Sequence, residues 1–218
     1  DLIDFSIGDP DLPTPPHIVK KLQESAADPR NHRYPSYEGM PAFRRAVAQW
    51  YAKRFDVALD PDTEVVTLIG SKEGIAHLPW AYVQEGDTAL IPSPGYPVYK
   101  ITTLLSGGTP YMMPLKEEND FLPVFESIPQ DALDKAHICF LNYPNNPTGA
   151  HGNDEVYEKA LAMAKKNDIL ICHDAAYNEV YFADPPPPSI LELPGARDVA
   201  IEVHSASKTF NMTGWRVG

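Results

Sequence analysis

The chain is predicted to be an α/β protein, a three-layer sandwich built around a mostly parallel sheet. Three observations predict this. Short apolar runs rich in β-branched residues alternate with helical patterns along the chain. Several runs are apolar nearly throughout, as expected of strands covered on both faces. The 23 prolines concentrate in connections, at Pro10–Pro16, Pro92–Pro97, Pro144–Pro147 and Pro185–Pro188.

In chain order, the helical period appears first over His17–Ala26 and again over Pro41–Phe55. A strand is expected at Glu64–Ile69, followed by a helix at Lys72–Val83. Strands at Thr88–Ile91 and Thr109–Met113 flank a helix at Val98–Leu105. A strand at Ile138–Asn142 leads to a helix at Asp154–Lys166, where Val156, Ala160 and Ala164 recur every four residues and Asp154 is a candidate N-cap. Strands at Ile169–His173 and Ala200–His204 complete the pattern. No internal repeat is visible. The organisation read from this is an N-terminal arm over residues 1–16 and one large domain over residues 17–218.

Composition narrows the functional classes. Asp plus Glu number 30 against 18 Lys plus Arg, a net charge of −12, which argues against a nucleic-acid backbone or an anionic membrane as partner. One local basic pocket for a phosphorylated small molecule stays compatible with it. The two cysteines, Cys139 and Cys172, lie in the apolar runs HICFLNY and ILICHD, where buried free thiols are expected. No run approaches the length of a membrane span, and DLIDFSIGDP carries no basic leader, so a cytoplasmic location is expected. The chain lacks GxGxxG, Walker, GxSxG, HExxH and CxxC patterns, and no metal site is expected. His173-Asp174 hints at a hydrolytic triad, without a nucleophile loop to complete it.

Open α/β sheets bind ligands beyond the carboxyl ends of their strands. Those positions hold Gly70-Ser71-Lys72-Glu73, Ser93-Pro94-Gly95-Tyr96, Tyr143-Pro-Asn-Asn146-Pro-Thr-Gly149, Asp174-Ala-Ala-Tyr177 and Ser205-Ala-Ser-Lys208. Lys208 follows a buried run among small residues, a setting that suits attack on a cofactor aldehyde. Arg216, eight residues on, suits a phosphate. A pyridoxal-phosphate site also needs an acid at its ring nitrogen, and Asp174 ends an apolar run. Asn146 and Tyr177 are donors for the ring oxygen, Tyr96 is a stacking aromatic, and Ser71-Lys72 opens a helix suited to phosphate. Taken singly, each has a plainer reading: the tyrosines as packing groups, Asp174 and Ser71 as helix caps, Asn146 as a turn former.

Together, Tyr143–Gly149, Asp174-Ala-Ala-Tyr177 and Ser205-x-x-Lys208 with Arg216 resemble the fold-type I pyridoxal-phosphate aminotransferases of classes I and II. The likeness covers essentially the whole chain, from Gly8 to Gly218. GSKEGIAHLP, PSPGYPVY and HSASKTFNMTGWRVG are similar to the LL-diaminopimelate aminotransferase branch. The resemblance implies the large domain of that fold and Lys208 as the Schiff-base and proton-shuttling lysine. It implies Asp174 as the ring-nitrogen acid and Tyr177 and Asn146 as partners of the phenolic oxygen. Tyr96 becomes the stacking ring, and Ser71, Lys72, Ser205 and Arg216 the phosphate cradle. Tyr34, in RYPSYEG, is implied to reach the phosphate of a neighbouring subunit in a homodimer, and Gly8, with Asn146, to touch substrate. The small C-terminal domain and its carboxylate-binding arginine are expected beyond Gly218. The implied activity is transamination of a small amino acid with a 2-oxo acid, such as LL-diaminopimelate with 2-oxoglutarate, in amino-acid biosynthesis. A carbon–sulfur β-lyase and a non-catalytic pyridoxal-phosphate-binding regulator are the alternatives.

Overall fold

The computed structural model describes residues 8–182 and 184–218. Residues 1–7 of the predicted arm lie outside them. Five strands, β1 (Thr88–Ser93), β2 (Thr109–Pro114), β3 (Ala136–Asn142), β4 (Leu170–Asp174) and β5 (Ala200–Val203), pair in spatial order β2-β1-β3-β4-β5. Among the described residues every pairing is parallel, as the predicted mostly parallel sheet requires. Alternation along the strands divides the core into two layers. Leu90, Cys139, Leu141 and Ile171 face one side, where α6 (Asp154–Asn167) packs Val156, Ala160 and Ala164. Ala89, Ile91, Ile138, Phe140 and Cys172 face the other, against Ile75 of α3 (Ser71–Tyr82) and Val98 and Tyr99 of α4 (Pro97–Leu105). This is the expected three-layer arrangement. It also puts the two free cysteines in different layers, and burial pushes the Cys139 thiol up to about 12.

Local chemistry sets the helix ends. The cap of α6 is Asn153, not the predicted Asp154: its side chain accepts the Val156 amide at 2.9 Å, while Asp154 and Glu155 occupy the first turn. Gly70, at φ 93° and ψ 149°, turns the chain into α3, so Ser71 is the first helical residue and not its cap. The helices α1 (Pro16–Ala27) and α2 (Pro41–Phe55) precede the sheet, α2 buries Tyr51 and Phe55, and the one-turn α5 (Gln130–Leu133) leads into β3.

One expected strand does not form. Glu64–Ile69 is not part of the sheet; Leu68 exchanges a reciprocal pair of backbone hydrogen bonds with Gly218, 2.8 and 3.0 Å, and Thr67 bonds to Glu38. One such pair is too short for a ladder, although it fixes where residues 216–218 lie. Among the described residues no helix is long and apolar enough to cross a membrane.

Candidate active site

The chain leaves β1 for β2 on one side, then crosses back to build β3, β4 and β5 on the other. This reversal opens a crevice at the carboxyl ends of β1 and β3, where α/β sheets bind ligands. A cavity of about 580 Å³ lies at these strand ends. Ser71, Lys72, Tyr96, Asn146, Asp174, Tyr177, Ser205, Lys208 and Arg216 all line it, as does Gly8. Tyr34 does not: its side chain is fully exposed outside the cavity. A larger, mainly apolar channel of about 1260 Å³ runs past Trp50, Leu68 and Ile201. It shares only Ser205 of the predicted residues, which otherwise converge on the smaller cavity.

Asp174 is the last residue of β4, and its side chain points to the α3–α4 layer. It is 5% exposed. Its Oδ2 accepts the Tyr99 hydroxyl at 2.7 Å, and its Oδ1 is buried with no partner among the described residues. Burial pushes the Asp174 carboxyl up, opposed by the Tyr99 hydrogen bond and by the charge of His173. The Tyr99 phenol, itself buried beside that carboxylate, is raised well above its usual range. Tyr99 is pinned by stacking on Phe140, centroids 4.8 Å apart, and by an edge contact to Tyr96 at 5.7 Å.

Asn142 ends β3 and ties two strand ends together. Its amide donates to the Asp174 carbonyl at 2.8 Å and its Oδ1 accepts the Asn146 amide at 2.8 Å. The two neighbouring asparagines of the next loop thereby separate in role. Asn145 is buried and holds the turn, accepting from the Thr148 hydroxyl at 2.8 Å, whereas Asn146 faces the cavity. Tyr177 is half-buried, and its phenol is raised by burial and then by the Asp174 charge.

Ser205 caps the short helix α7 (Ala206–Thr209) by accepting the Ser207 amide at 3.2 Å, and α7 carries Lys208. The Lys208 amine donates to the Gly8 carbonyl and stands 6.0 Å from the centre of the Tyr177 ring. Arg216 reaches the N-terminus of α3 because Leu68 and Gly218 are paired. It adopts φ 57° and donates to the Thr213 carbonyl at 2.7 Å. Its guanidinium occupies the space that a side chain on Gly70 would need. A guanidinium beside the free amides of a helix N-terminus is an anion-binding arrangement.

Sequence reasoning missed Tyr99, Asn142, Ser207 and Thr213, which position or line the site. Tyr99 carried little signal, since an aromatic inside a helix reads as packing. Asn142 carried a usable one, as the one polar residue closing the apolar run from Ile138.

The family model described as aminotransferase class I and II matches residues 1–218. The LL-diaminopimelate aminotransferase of Aquifex aeolicus is 58% identical across 100% of this chain and 56% of its own length. That of Syntrophobacter fumaroxidans is 55% identical with the same coverage. The chain thus spans little more than half the length of these curated relatives. Among solved structures, substrate-bound BacF from Bacillus subtilis superposes with a TM-score of 0.93 at 46% identity, covering 96% of this chain and 53% of that one. A probable N-succinyldiaminopimelate aminotransferase from Thermus thermophilus gives 0.92 at 38%, covering 100% and 58%. With its whole described fold and its full matched length inside one family, the chain belongs to the class I and II aminotransferases.

Proposed function

We propose that the protein is a pyridoxal-phosphate-dependent aminotransferase that moves the amino group of a small amino acid to a 2-oxo acid, with LL-diaminopimelate and 2-oxoglutarate as the pair. One observation carries the cofactor reading: Asp174, whose buried Oδ1 has no hydrogen-bond partner among the described residues, lines the same cavity as Lys208. A buried carboxylate oxygen without a donor is costly, and a protonated pyridine nitrogen is the donor it lacks. Arg216, Lys72 and the first amides of α3 suit the phosphate, with Ser71 and Ser205 beside them. Tyr96 suits the ring face, and Asn146 and Tyr177 suit its phenolic oxygen.

Bound pyridoxal phosphate supplies an electron sink for charge developing at the amino acid's α-carbon. The protein's own residues do the rest. Asp174, whose Oδ2 takes the Tyr99 hydroxyl, is placed to hold a proton at the ring nitrogen. Lys208, oriented by the Gly8 carbonyl, is the base that takes and returns the α-carbon proton. Asn146 and Gly8 meet the substrate. The choice of LL-diaminopimelate is supported by the names of the relatives at 53–58% identity. Tyr34, fully exposed, suits contact with a second subunit of a homodimer. The acidic charge and the unpaired thiols suit a cytoplasmic location.

The full-length protein is to be loaded with pyridoxal phosphate and given LL-diaminopimelate with 2-oxoglutarate. Glutamate should form, and borohydride should fix the cofactor to Lys208. Pyruvate and ammonia without any need for the 2-oxo acid overturn transamination. A borohydride adduct that survives at the same site in Lys208→Ala overturns the lysine assignment.

A further inference from the structure

Directly behind the cavity, on the α6 face of the sheet, lies a carboxylate that the chemistry above does not use. Glu202 of β5 has a side chain with no solvent exposure. It takes five donors. Its Oε1 accepts from the Tyr51 hydroxyl at 2.8 Å, the His204 ring at 2.8 Å and the Ser189 hydroxyl at 2.9 Å. Its Oε2 accepts from His173 Nδ1 at 2.7 Å and the Ile190 amide at 3.1 Å. The other nitrogen of His173 meets the Tyr157 hydroxyl of α6 at 3.2 Å.

Stability alone does not account for such a cluster. Buried ionic groups can often be replaced by apolar side chains of similar volume with no loss. The position of this one is informative. His173 and Glu202 are opposite each other in the β4–β5 register. The residue after His173 is Asp174, and the residue after His204 is Ser205, which caps the helix carrying Lys208. One carboxylate therefore grips the last turns of chain before the two groups that face the cofactor from different strands.

We propose that Glu202 is a positioning residue of the cofactor site: through His173 and His204 it locks the ends of β4 and β5 together, and so fixes Asp174 against Lys208. The inference rests on the cofactor reading given above. Electrostatics point the same way. After burial, which raises the Asp174 carboxyl, both imidazoles act to lower it, behind the larger effect of Tyr99. The network thus places the ring acid, and both imidazoles favour its ionised form.

The test uses His204, whose side chain is 23% exposed but packs edge-on against Trp50 and Tyr51 and meets the Tyr51 hydroxyl at 2.6 Å, so stability is measured beside function. In full-length protein, His204→Leu removes the donor and His204→Gln keeps an N–H near the position of Nε2. The readouts are the dissociation constant for pyridoxal phosphate, the pH midpoint of the visible absorbance of the bound cofactor, and the melting temperature without cofactor. The Leu variant should bind pyridoxal phosphate about tenfold more weakly, the size of one hydrogen bond to a charged group, and shift the midpoint. The Gln variant should restore both. A Leu variant that binds and titrates like the parent overturns the proposal. So does a Gln variant as impaired as Leu, or a loss of affinity that merely follows melting temperature in both variants. A parent protein that takes up no pyridoxal phosphate overturns the functional reading instead.

Discussion

The Tyr99 hydroxyl donates to Oδ2 of Asp174 across 2.7 Å, and Oδ1 of the same buried carboxyl is left without a partner among the described residues. A single side chain from α4 thus serves one oxygen of the acid and leaves the other unserved, in a residue that lines the cavity. Tyr99→Phe removes that donor without changing ring packing on Phe140. Hydrogen bonds to charged groups contribute roughly 1.5–3 kcal/mol, so pyridoxal-phosphate affinity should fall about 10- to 100-fold. A fluorescence titration of full-length protein reads this directly, and unchanged affinity would remove Tyr99 from the site.

Asp174→Asn should separate stability from function. Burial raises the folded-state carboxyl above its unfolded value, so in the window between the two the folded protein binds more protons. Stability of the cofactor-free protein therefore falls as pH rises through that window, and the deficit persists at neutral pH. Asparagine does not titrate and carries no charge into the core. The variant should melt higher at pH 7 by on the order of 1 kcal/mol, about 3 °C for a chain of this size, with a flatter pH dependence. Cofactor affinity should fall by at least the factor expected for Tyr99→Phe. Melting curves from pH 4 to pH 8 check the first half; a variant that melts lower throughout would show that the carboxylate stabilises the fold.

Gly70 and Arg216 share one space, since a Cβ on Gly70 would meet the guanidinium. The backbone there, at φ 93° and ψ 149°, is also one that only glycine adopts readily. Gly70→Ala should cost about 1–3 kcal/mol and push Arg216 away from the N-terminus of α3. Gly214→Ala is the control, because nothing lies within 4 Å of the added methyl. Inorganic phosphate should compete with pyridoxal phosphate in the control and parent but more weakly in Gly70→Ala. Equal competition in all three would place the phosphate elsewhere.

What the sequence revealed follows from physical locality. Ile138–Asn142 and Ile169–His173 are legible because a strand covered on both faces is an unbroken apolar run, and the polar residue that ends it stands out. Asp174, Ser205 and Lys208 were readable for that reason. Glu64–Ile69 is likewise rich in apolar β-branched residues but lacks a ladder, since only Leu68 finds a reciprocal backbone partner, at Gly218. Tyr99 was hidden inside a helix where an aromatic reads as packing, and it does pack. The Glu202 cluster was illegible altogether. Its donors come from residues 51, 173, 189, 190 and 204, brought together only by tertiary structure, and a lone glutamate in a strand gives no local pattern.

Glu202 also predicts how the fold responds to acid. Burial works to raise its carboxyl, and the hydrogen bonds from His173 and His204 overcome that, leaving it far below the ordinary carboxylate range. Its contribution is fully present above the unfolded glutamate value, about 4.3, and is lost as pH falls below that toward the depressed folded value. Glu202→Gln leaves both imidazoles facing an amide that cannot accept from all five donors. Removing one partner of a buried charged network costs about 3 kcal/mol or more, so the variant should be markedly less stable at pH 7. The gap between parent and variant should narrow as pH drops from about 5 to 3, because only the parent loses this contribution there. Urea unfolding of the cofactor-free protein at a series of pH values measures that gap, and a gap that stays constant through the acid range would mean that Glu202 is not held as a carboxylate by its donors.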